Sequence, residues 1–200
     1  MSEVDWVLCL GDVLGYYCQV NETMDWVREH VDVCIMGNHD AFVLGECPAN
    51  LPPAVVFGVE YAAENLETDH RNWLGKQPLV WGGILADKQV LLSHGSPWKP
   101  LDDYLYSDNP KLEGLRHFDF DIIAFGQTHR HLLHKFEKQL LLNPGSVGQS
   151  RDEKTRGCAS AAIVDLKDLS ARQIVEPYDT TPVVARAKEQ GAHDWIEKFM

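Results

Sequence analysis

The sequence predicts one α/β domain, and three observations support this fold class. The first part of the chain has the pattern of a strand, a helix and a second strand. Strand-like apolar runs dominate the second half, and several of them end in short polar motifs. A chain of 200 residues that is 44% hydrophobic and 24% charged can bury one sizeable core. We therefore expect residues 1–200 to form a single domain.

Apolar spacing defines the elements of the first half. Residues 4–10 are a nearly continuous apolar run of the kind found in buried strands. Asn21 can cap the helix that follows, and residues 31–36 form the next strand. Helical spacing then continues over residues 53–74, with Gly75 as its stop. The two apolar stripes are Val20, Met24, Val27 and Val31, then Val55, Val59, Ala62 and Leu66.

The second half alternates short apolar runs with turn signals, which is the pattern of β-hairpins and sheet strands. A helix over residues 183–190 ends at Gly191, and Trp195 with Phe199 can anchor a last amphipathic turn. Residues 182–200 are therefore expected to be a helical tail packed on the domain. The predicted strands cover residues 79–85, 89–93, 121–125, 132–136, 139–142, 159–165 and 171–175.

Composition and charge restrict the setting and the partners. The chain starts without a basic leader and its apolar runs are too short to span a bilayer, so we expect a cytoplasmic protein without membrane contact. Its five cysteines form no Cys-x-x-Cys pair, and a reducing compartment suits them. A net charge of −12 repels polyanions, which argues against binding to duplex nucleic acid. A small phosphorylated substrate that a bound cation attracts remains compatible.

Four polar motifs follow β-like runs and carry the chemistry. Residues at the carboxyl ends of neighbouring strands converge on one crevice, so ligands that are distant in sequence can meet around a metal ion. We expect the side chains of positions 12, 38, 94 and 129 to do so. Their carboxylate, carboxamide and two imidazoles suit Mn²⁺, Fe or Zn²⁺. The motifs are Gly11-Asp12, Gly37-Asn38-His39-Asp40, Ser93-His94-Gly95 and Gly126-Gln127-Thr128-His129.

These motifs, in this order and followed by the Asn143-Pro144-Gly145-Ser146-Val147-Gly148-Gln149 segment, resemble those of the calcineurin-like metallophosphoesterase superfamily, in particular its small bacterial-type phosphodiesterases. The resemblance extends over residues 4–179. It implies a four-layer α-β-β-α sandwich with two mixed sheets face to face and helices outside. It also implies a centre of two divalent ions at the strand ends, with Mn²⁺ favoured and Fe, Zn²⁺, Mg²⁺ or Ni²⁺ as alternatives.

The resemblance also implies roles for the matched residues. Asp12 would bridge both metal ions, Asn38 and His94 would bind the second ion, and His129 would bind the first. His39 would face the scissile phosphate as the catalytic residue, and Asn38 would also lie close to the substrate.

These implied roles are chemically reasonable for phosphate-ester hydrolysis. A bridging carboxylate lowers the repulsion between two cations, and a cation such as Zn²⁺ lowers the pKa of bound water to about 7. A metal-bound hydroxide is then the nucleophile at neutral pH. Since the unperturbed pKa of histidine is about 6.5, His39 can stabilise charge on the phosphoryl oxygens or protonate the leaving oxygen.

Two features depart from the family pattern. Family members begin with a strand that ends in Asp-x-His and supplies ligands of the first metal, whereas this chain starts at what should be the second strand. The first strand and helix are thus expected upstream of Met1, and the 200-residue form is expected to have reduced activity. Gln127 occupies the position of the first histidine in Gly-His-x-His. Its amide oxygen can bind a hard cation, but binds a transition metal more weakly than imidazole does.

Other polar residues have competing interpretations. Arg151 can reach a substrate phosphate or form a surface salt bridge. Asp40 can orient His39 or cap the following turn, with equal weight. His131 and His134 should face opposite sides of a strand, which favours solvated positions over metal ligation. Three aromatic residues after the third motif line a pocket for the leaving group or, as the favoured interpretation, engage in aromatic packing: Trp98, Tyr104 and Tyr106.

Two function classes remain. The first is a hydrolase of phosphomono- or phosphodiesters. The second is a catalytically impaired scaffold similar to the phosphoesterase-like subunit of retromer, which Gln127 and the missing Asp-x-His motivate. A serine hydrolase is disfavoured because Ser146 is not in a Gly-x-Ser-x-Gly motif, and the chain has no Walker-type loop. The sequence leaves the substrate, the native metal and the oligomeric state open, a homodimer included.

Overall fold

The structure is a computed structural model that describes residues 4–45 and 50–193. These residues form two compact units, one up to Leu79 and again from Thr181, the other from Val80 to Thr180. In chain order the elements are β1 (Leu8–Cys9), α1 (Val20–His30), β2 (Val33–Cys34), α2 (Asn38–Val43), α3 (Pro53–Asn65), α4 (Thr68–Leu74), β3 (Val80–Leu85), β4 (Lys88–Ser93), α5 (Lys111–Leu115), β5 (Ile122–Phe125), β6 (His131–Lys135), β7 (Leu140–Pro144), β8 (Cys158–Asp165), β9 (Ser170–Pro177) and α6 (Thr181–Glu189).

The first unit consists of a parallel pair of short strands and most of the helices. α1 connects β1 to β2, which pair in parallel, so the predicted strand–helix–strand unit is present. The α1 stripe is buried at Val20, Met24 and Val27, as its spacing predicts. The remaining core residues come from the other helices and the connecting segments. The buried members of this core are Leu14, Val20, Met24, Val43, Val59, Ala62, Leu66 and Leu74.

Two helix predictions for this unit are wrong, and one contact explains both. Asn21 lies in the first turn of α1, behind an N-cap at Gln19, and caps nothing there. The expected continuous helix over 53–74 breaks between α3 and α4, where Leu66 is extended. The Asn21 amide contacts both sides of this break, since Nδ2 donates to Asn65 O at 3.0 Å and Oδ1 accepts from the Glu67 N–H at 3.1 Å. This tertiary contact satisfies backbone groups that the break leaves unpaired.

The second unit contains a mixed five-stranded sheet with the order β3-β4-β5-β7-β6. β4, β5 and β7 run parallel, while β3 and β6 pair antiparallel at the two edges. β5 is buried along its whole length, as expected for a central strand. β8 and β9 form a separate antiparallel pair. Each strand predicted for this unit is present, with ends within two residues of those expected. In the first unit, by contrast, the strands expected over residues 4–10 and 31–36 shorten to Leu8–Cys9 and Val33–Cys34.

The mixed α/β class is therefore confirmed. Within residues 4–45 and 50–193, no helix is both long and apolar enough to cross a membrane. The helix expected over residues 183–190 is present as α6, which begins two residues earlier. It buries Ala187 beside Cys18 in the first unit. The expected anchors Trp195 and Phe199 lie outside the described residues.

Candidate metal centre

Two glycines bring the first two motifs into contact at one end of the β1–β2 pair. Cys9 pairs with Cys34 in the parallel register, so the chain leaves both strands at the same end of the pair. Gly11 has a φ of +84°, and a Cβ there would overlap the backbone nitrogen of Gly37. A Cβ on Gly37 would in turn overlap Asp12 Oδ1. Only glycine at both positions allows the two turns to approach this closely.

Asp12 is held in a conformation that non-glycine residues rarely adopt. Its φ is +55°, in the left-handed region, and such positions cluster at functional sites. Oδ1 of its carboxylate accepts the backbone N–H of His39 at 2.9 Å. This bond connects the first motif to the second. It places the Asp12 carboxylate beside the backbone of the Asn38-His39 segment.

Asp40 holds the backbone of both turns in place. Its fully buried carboxylate accepts three backbone N–H groups: that of Gly37 at 2.9 Å, that of Asp12 at 2.8 Å and that of Leu14 at 3.1 Å. Of the two roles left open for Asp40, these bonds support the turn cap. They also show a role that the sequence did not reveal, since Asp40 sets the backbone that carries Asp12.

His39 is buried, with 5% of its surface exposed, and is held on two sides. Its ring stacks on Tyr16 with a centroid distance of 4.1 Å and an interplanar angle of 15°. Nδ1 lies 3.2 Å from Gly15 O. Because a carbonyl oxygen only accepts, Nδ1 carries the proton in this bond, which defines the tautomer. Tyr16 and Gly15 were not predicted, since neither belongs to a motif.

In the second unit, the third and fourth motifs leave adjacent parallel strands. Ser93 at the end of β4 pairs with Phe125 at the end of β5. The ladder continues one step further, where the Gly126 N–H donates to His94 O at 2.8 Å. His94 and Gln127 therefore follow the carboxyl ends of two neighbouring strands in the middle of the sheet, and both are buried. Gln127 and His129 have left-handed φ values of +63° and +56°, so this loop also stores backbone strain.

His129 is oriented as metal-binding histidines usually are. Nδ1 lies 2.8 Å from the backbone oxygen of Gln149, so it carries the proton and leaves Nε2 as the lone-pair nitrogen. Asn143 supports the loop by donating to Gly126 O at 2.6 Å and to Thr128 Oγ1 at 3.1 Å. The Asn-Pro-Gly-Ser segment thus positions the fourth motif, and its presence in the sequence was the available signal.

Gln127 provides a direct test of whether these residues fit a cation. Its side chain is only 4% exposed, and its Nε2 lies 3.5 Å from Leu101 O. Its Oε1 is buried and accepts no hydrogen bond from any described residue. An unsatisfied buried carbonyl oxygen is costly, and a hard cation satisfies it. Together with the orientation of His129, this donor set fits a divalent metal ion.

Other candidates are placed differently. The Arg151 guanidinium lies 3.3 Å from Gln149 Oε1, and the Arg151 N–H donates to His129 O. Burial lowers the pKa of His131, which keeps its imidazole neutral over a wider pH range. A hydrogen bond with Cys9 and burial raise the pKa of Cys34. Cys34 therefore stays a thiol and is unsuited to bind metal as a thiolate.

The structure describes two sets of candidate donors, one in each unit. The first contains Asp12 and Asn38, with His39 beside them. The second contains His94, Gln127 and His129. Within the described part of each unit, no three His, Cys, Asp or Glu side chains form a metal-binding group. A metal centre built from these residues would have to include amide oxygens, which the sequence predicts as ligands at position 38 and, more weakly, at position 127.

The chain belongs to the calcineurin-like phosphoesterase superfamily, because the family model for that superfamily domain matches residues 1–169. The resemblance seen in the motifs is thereby confirmed.

Relatives and solved structures agree with this membership. The uncharacterized protein MJ0912 of Methanocaldococcus jannaschii is 27% identical over 207 residues, which cover 95% of this chain and 83% of that protein. A hypothetical protein from Pyrococcus horikoshii, PH1004, has a TM-score of 0.82 at 19% identity, covering 98% of this chain and 84% of its own. A metallophosphoesterase from Sphaerobacter thermophilus has a TM-score of 0.81 at 24% identity, with coverages of 99% and 88%. These structures share the fold of this chain.

Proposed function

We propose that this protein is a metal-dependent phosphoesterase that hydrolyses phosphomono- or phosphodiesters of small molecules. One observation carries the proposal. Three of the four ligands implied by the family are polar side chains buried at strand ends: Asn38, His94 and His129 are 9%, 2% and 6% exposed. Burying polar groups costs free energy, and a bound cation offsets that cost.

We further propose that both donor sets bind divalent ions, with Mn²⁺ favoured. In the first unit the ligands would be Asp12 and Asn38. In the second unit they would be His94 and His129, with Gln127 as a weaker ligand. When bound, such ions supply Lewis-acid activation of water and of the phosphoryl group. The hardness of carboxylate and amide oxygens favours Mn²⁺ or Mg²⁺ over softer ions.

His39 is the residue of this chain that we propose to act on the substrate. Its Nδ1 proton is committed to Gly15 O, and the stack with Tyr16 fixes the ring plane. With a second proton on Nε2, the fixed ring is an imidazolium that can stabilise charge developing on the phosphoryl oxygens with little reorganisation. The same Nε2 proton can pass to the leaving oxygen, which returns the ring to the neutral form with Nδ1 still protonated. Arg151 is a further candidate for a contact with the substrate phosphate.

The proposal is tested by Mn²⁺-dependent hydrolysis of bis-p-nitrophenyl phosphate. The assay uses the 200-residue chain. We expect hydrolysis that requires the added metal and that chelation abolishes, together with stabilisation against heat by Mn²⁺. A protein that neither binds Mn²⁺ nor hydrolyses the ester would contradict the proposal and favour the scaffold alternative.

Replacement of Gln127 by histidine is expected to change the metal preference. Imidazole is a stronger ligand for Zn²⁺ than an amide oxygen, so Gln127→His should raise Zn²⁺ affinity at least about tenfold, equal to 1.4 kcal/mol. Histidine also tolerates the left-handed backbone better than most residues. Titration calorimetry of the variant and the wild type with Zn²⁺ and Mn²⁺ measures the change.

Gln89→His is the matched control, because Gln89 is an exposed residue of β4 near the end of that strand opposite His94. It should leave both affinities unchanged. Equal Zn²⁺ affinities for Gln127→His and the wild type would exclude Gln127 from the metal centre.

A further inference from the structure

The segment after the third motif is attached directly to the candidate site of the second unit. The Gly95 N–H donates to Pro100 O at 2.5 Å. A Cβ on Gly95 would lie 2.8 Å from the backbone oxygens of both Lys99 and Asp103, so the segment folds tightly over this glycine. The side chain of Gln127 reaches Leu101 O in the same segment.

Side-chain bonds of Asp103 also hold the segment of residues 96–103. The carboxylate of Asp103 accepts from Ser96 Oγ at 2.5 Å and from Lys111 Nζ at 2.7 and 2.8 Å. These bonds, that of Lys111 first, hold the pKa of Asp103 below its ordinary value. The carboxylate is therefore charged at neutral pH and connects Ser96 to Lys111 across the segment.

The next residues present two tyrosines to solvent from a fixed backbone. Leu105 is only 1% exposed and packs into the core of the second unit. Since successive side chains of an extended segment point to opposite sides, its neighbours Tyr104 and Tyr106 face outward, 42% and 41% exposed. Their ring centroids are 6.2 Å apart and their planes differ by 17°. The two rings thus pack against each other, as the favoured interpretation expects, while Leu105 between them occupies the core position.

A guanidinium group completes this surface and connects it to the fourth motif. Arg130, which directly follows His129, places its guanidinium carbon 5.8 Å from the centroid of the Tyr106 ring. Trp98 is not part of the pair, because its indole lies edge-on to Phe118 at 5.3 Å and against Gly114. We call Tyr104, Tyr106 and Arg130 the tyrosine platform.

We propose that the tyrosine platform binds the nucleobase of a mononucleotide, which makes the substrate a nucleotide phosphoester. Two nearly parallel exposed rings offer a wide π surface on which a base can stack, and a neighbouring guanidinium adds a planar cation for contact with its edge. Arg130 directly follows His129, and the segment that carries the tyrosines packs on Gly95, which directly follows His94. In the proposed complex the base stacks on the platform and the phosphate reaches these candidate ligands.

The charge of the chain favours a mononucleotide over a nucleic acid strand. The net charge of −12 repels a polyanion, whereas one phosphate next to a bound cation is tolerated. This inference rests on the proposed function, because it assigns the substrate class of the same site.

The test measures binding of AMP and of ribose 5-phosphate by calorimetry, with chelator present so that neither is hydrolysed. We expect the wild type to bind AMP more tightly than ribose 5-phosphate. The double variant Tyr104→Ala/Tyr106→Ala should lose AMP affinity by about 5- to 100-fold, the range that base stacking contributes, with no change for ribose 5-phosphate. Tyr106→Phe, which keeps the ring, should retain AMP binding.

The control is Trp26→Ala, which removes a 54% exposed aromatic ring from α1, a helix without candidate ligands. It should leave AMP binding intact. Equal wild-type affinity for AMP and ribose 5-phosphate would overturn the inference, as would phenyl phosphate competing as well as AMP. Tyrosine-dependent AMP binding in a protein without any hydrolysis would instead overturn the proposed function and leave the nucleobase site in place.

Discussion

Asp12→Asn is expected to lower Mn²⁺-dependent hydrolysis on the order of 100-fold, the typical loss when one charge-stabilising group is removed from an active site. The substitution removes one negative charge and replaces one carboxylate oxygen by an amide nitrogen, which cannot bind a cation. Assays of hydrolysis and of Mn²⁺ affinity on the purified variant measure the effect. Both should fall together, since one side chain is proposed to serve both.

The structure indicates that this variant will fold. Asparagine tolerates the φ of +55° at position 12 as well as aspartate does. Its amide oxygen can still accept the His39 N–H, as Oδ1 of the carboxylate does now. The free energy of unfolding should therefore stay within about 1 kcal/mol of the wild type.

Asp87→Asn is a closely matched control. Asp87 is an exposed aspartate that also has a left-handed φ, +68°, in the turn between β3 and β4. The same chemical change there should leave hydrolysis and Mn²⁺ binding unaltered. If Asp12→Asn retained wild-type activity and affinity, Asp12 would not be a metal ligand and the proposed centre would be wrong.

The largest expected loss of stability comes from Asp40→Asn. The wild-type carboxylate accepts the N–H groups of Gly37 and Asp12 on Oδ2 and that of Leu14 on Oδ1. An asparagine has one acceptor oxygen, so its amide nitrogen must face at least one backbone donor that has no other acceptor in this arrangement. Hydrogen bonds to charged groups contribute about 1.5–3 kcal/mol each, and we expect a loss of about 3–5 kcal/mol in the free energy of unfolding.

Urea denaturation of the two proteins measures this loss as a shift of the midpoint at constant slope. Asp165→Asn is the control, because the Asp165 carboxylate also accepts a backbone N–H, that of Lys167 at 2.8 Å, but in an exposed turn. It should cost less than about 1 kcal/mol. An Asp40→Asn protein as stable as the control would show that the buried bonds contribute little.

Much of the fold could be predicted from the sequence. The strands of the second unit appear where apolar runs and turn residues place them, because these signals are local. The α1 stripe of Val20, Met24 and Val27 is likewise set by helical periodicity. The break between α3 and α4 could not be predicted, because Leu66 continues the helical spacing and the compensating bond comes from Asn21, far away in the chain.

Some features of the candidate site could likewise be predicted from the sequence, and others could not. The residue types that follow each strand identify the family and the expected ligands, including the amides Asn38 and Gln127. The sequence did not show that Asp40 supports Asp12, that Gln149 orients His129, or that Tyr104 and Tyr106 face solvent. Each of these depends on which backbone group or core position lies next to a side chain after folding.

The sequence by itself thus determined the strands of the second unit, the residue types of the candidate donors and the membership of the superfamily. Only the tertiary structure decided how the donors are held: the left-handed backbone at Asp12, Gln127 and His129, the buried oxygen of Gln127, and the exposed pair of tyrosines. The physical reason is the separation along the chain over which each effect acts. Periodicity and turn preference act over a few residues, whereas burial and hydrogen-bond satisfaction are set by partners up to tens of residues away.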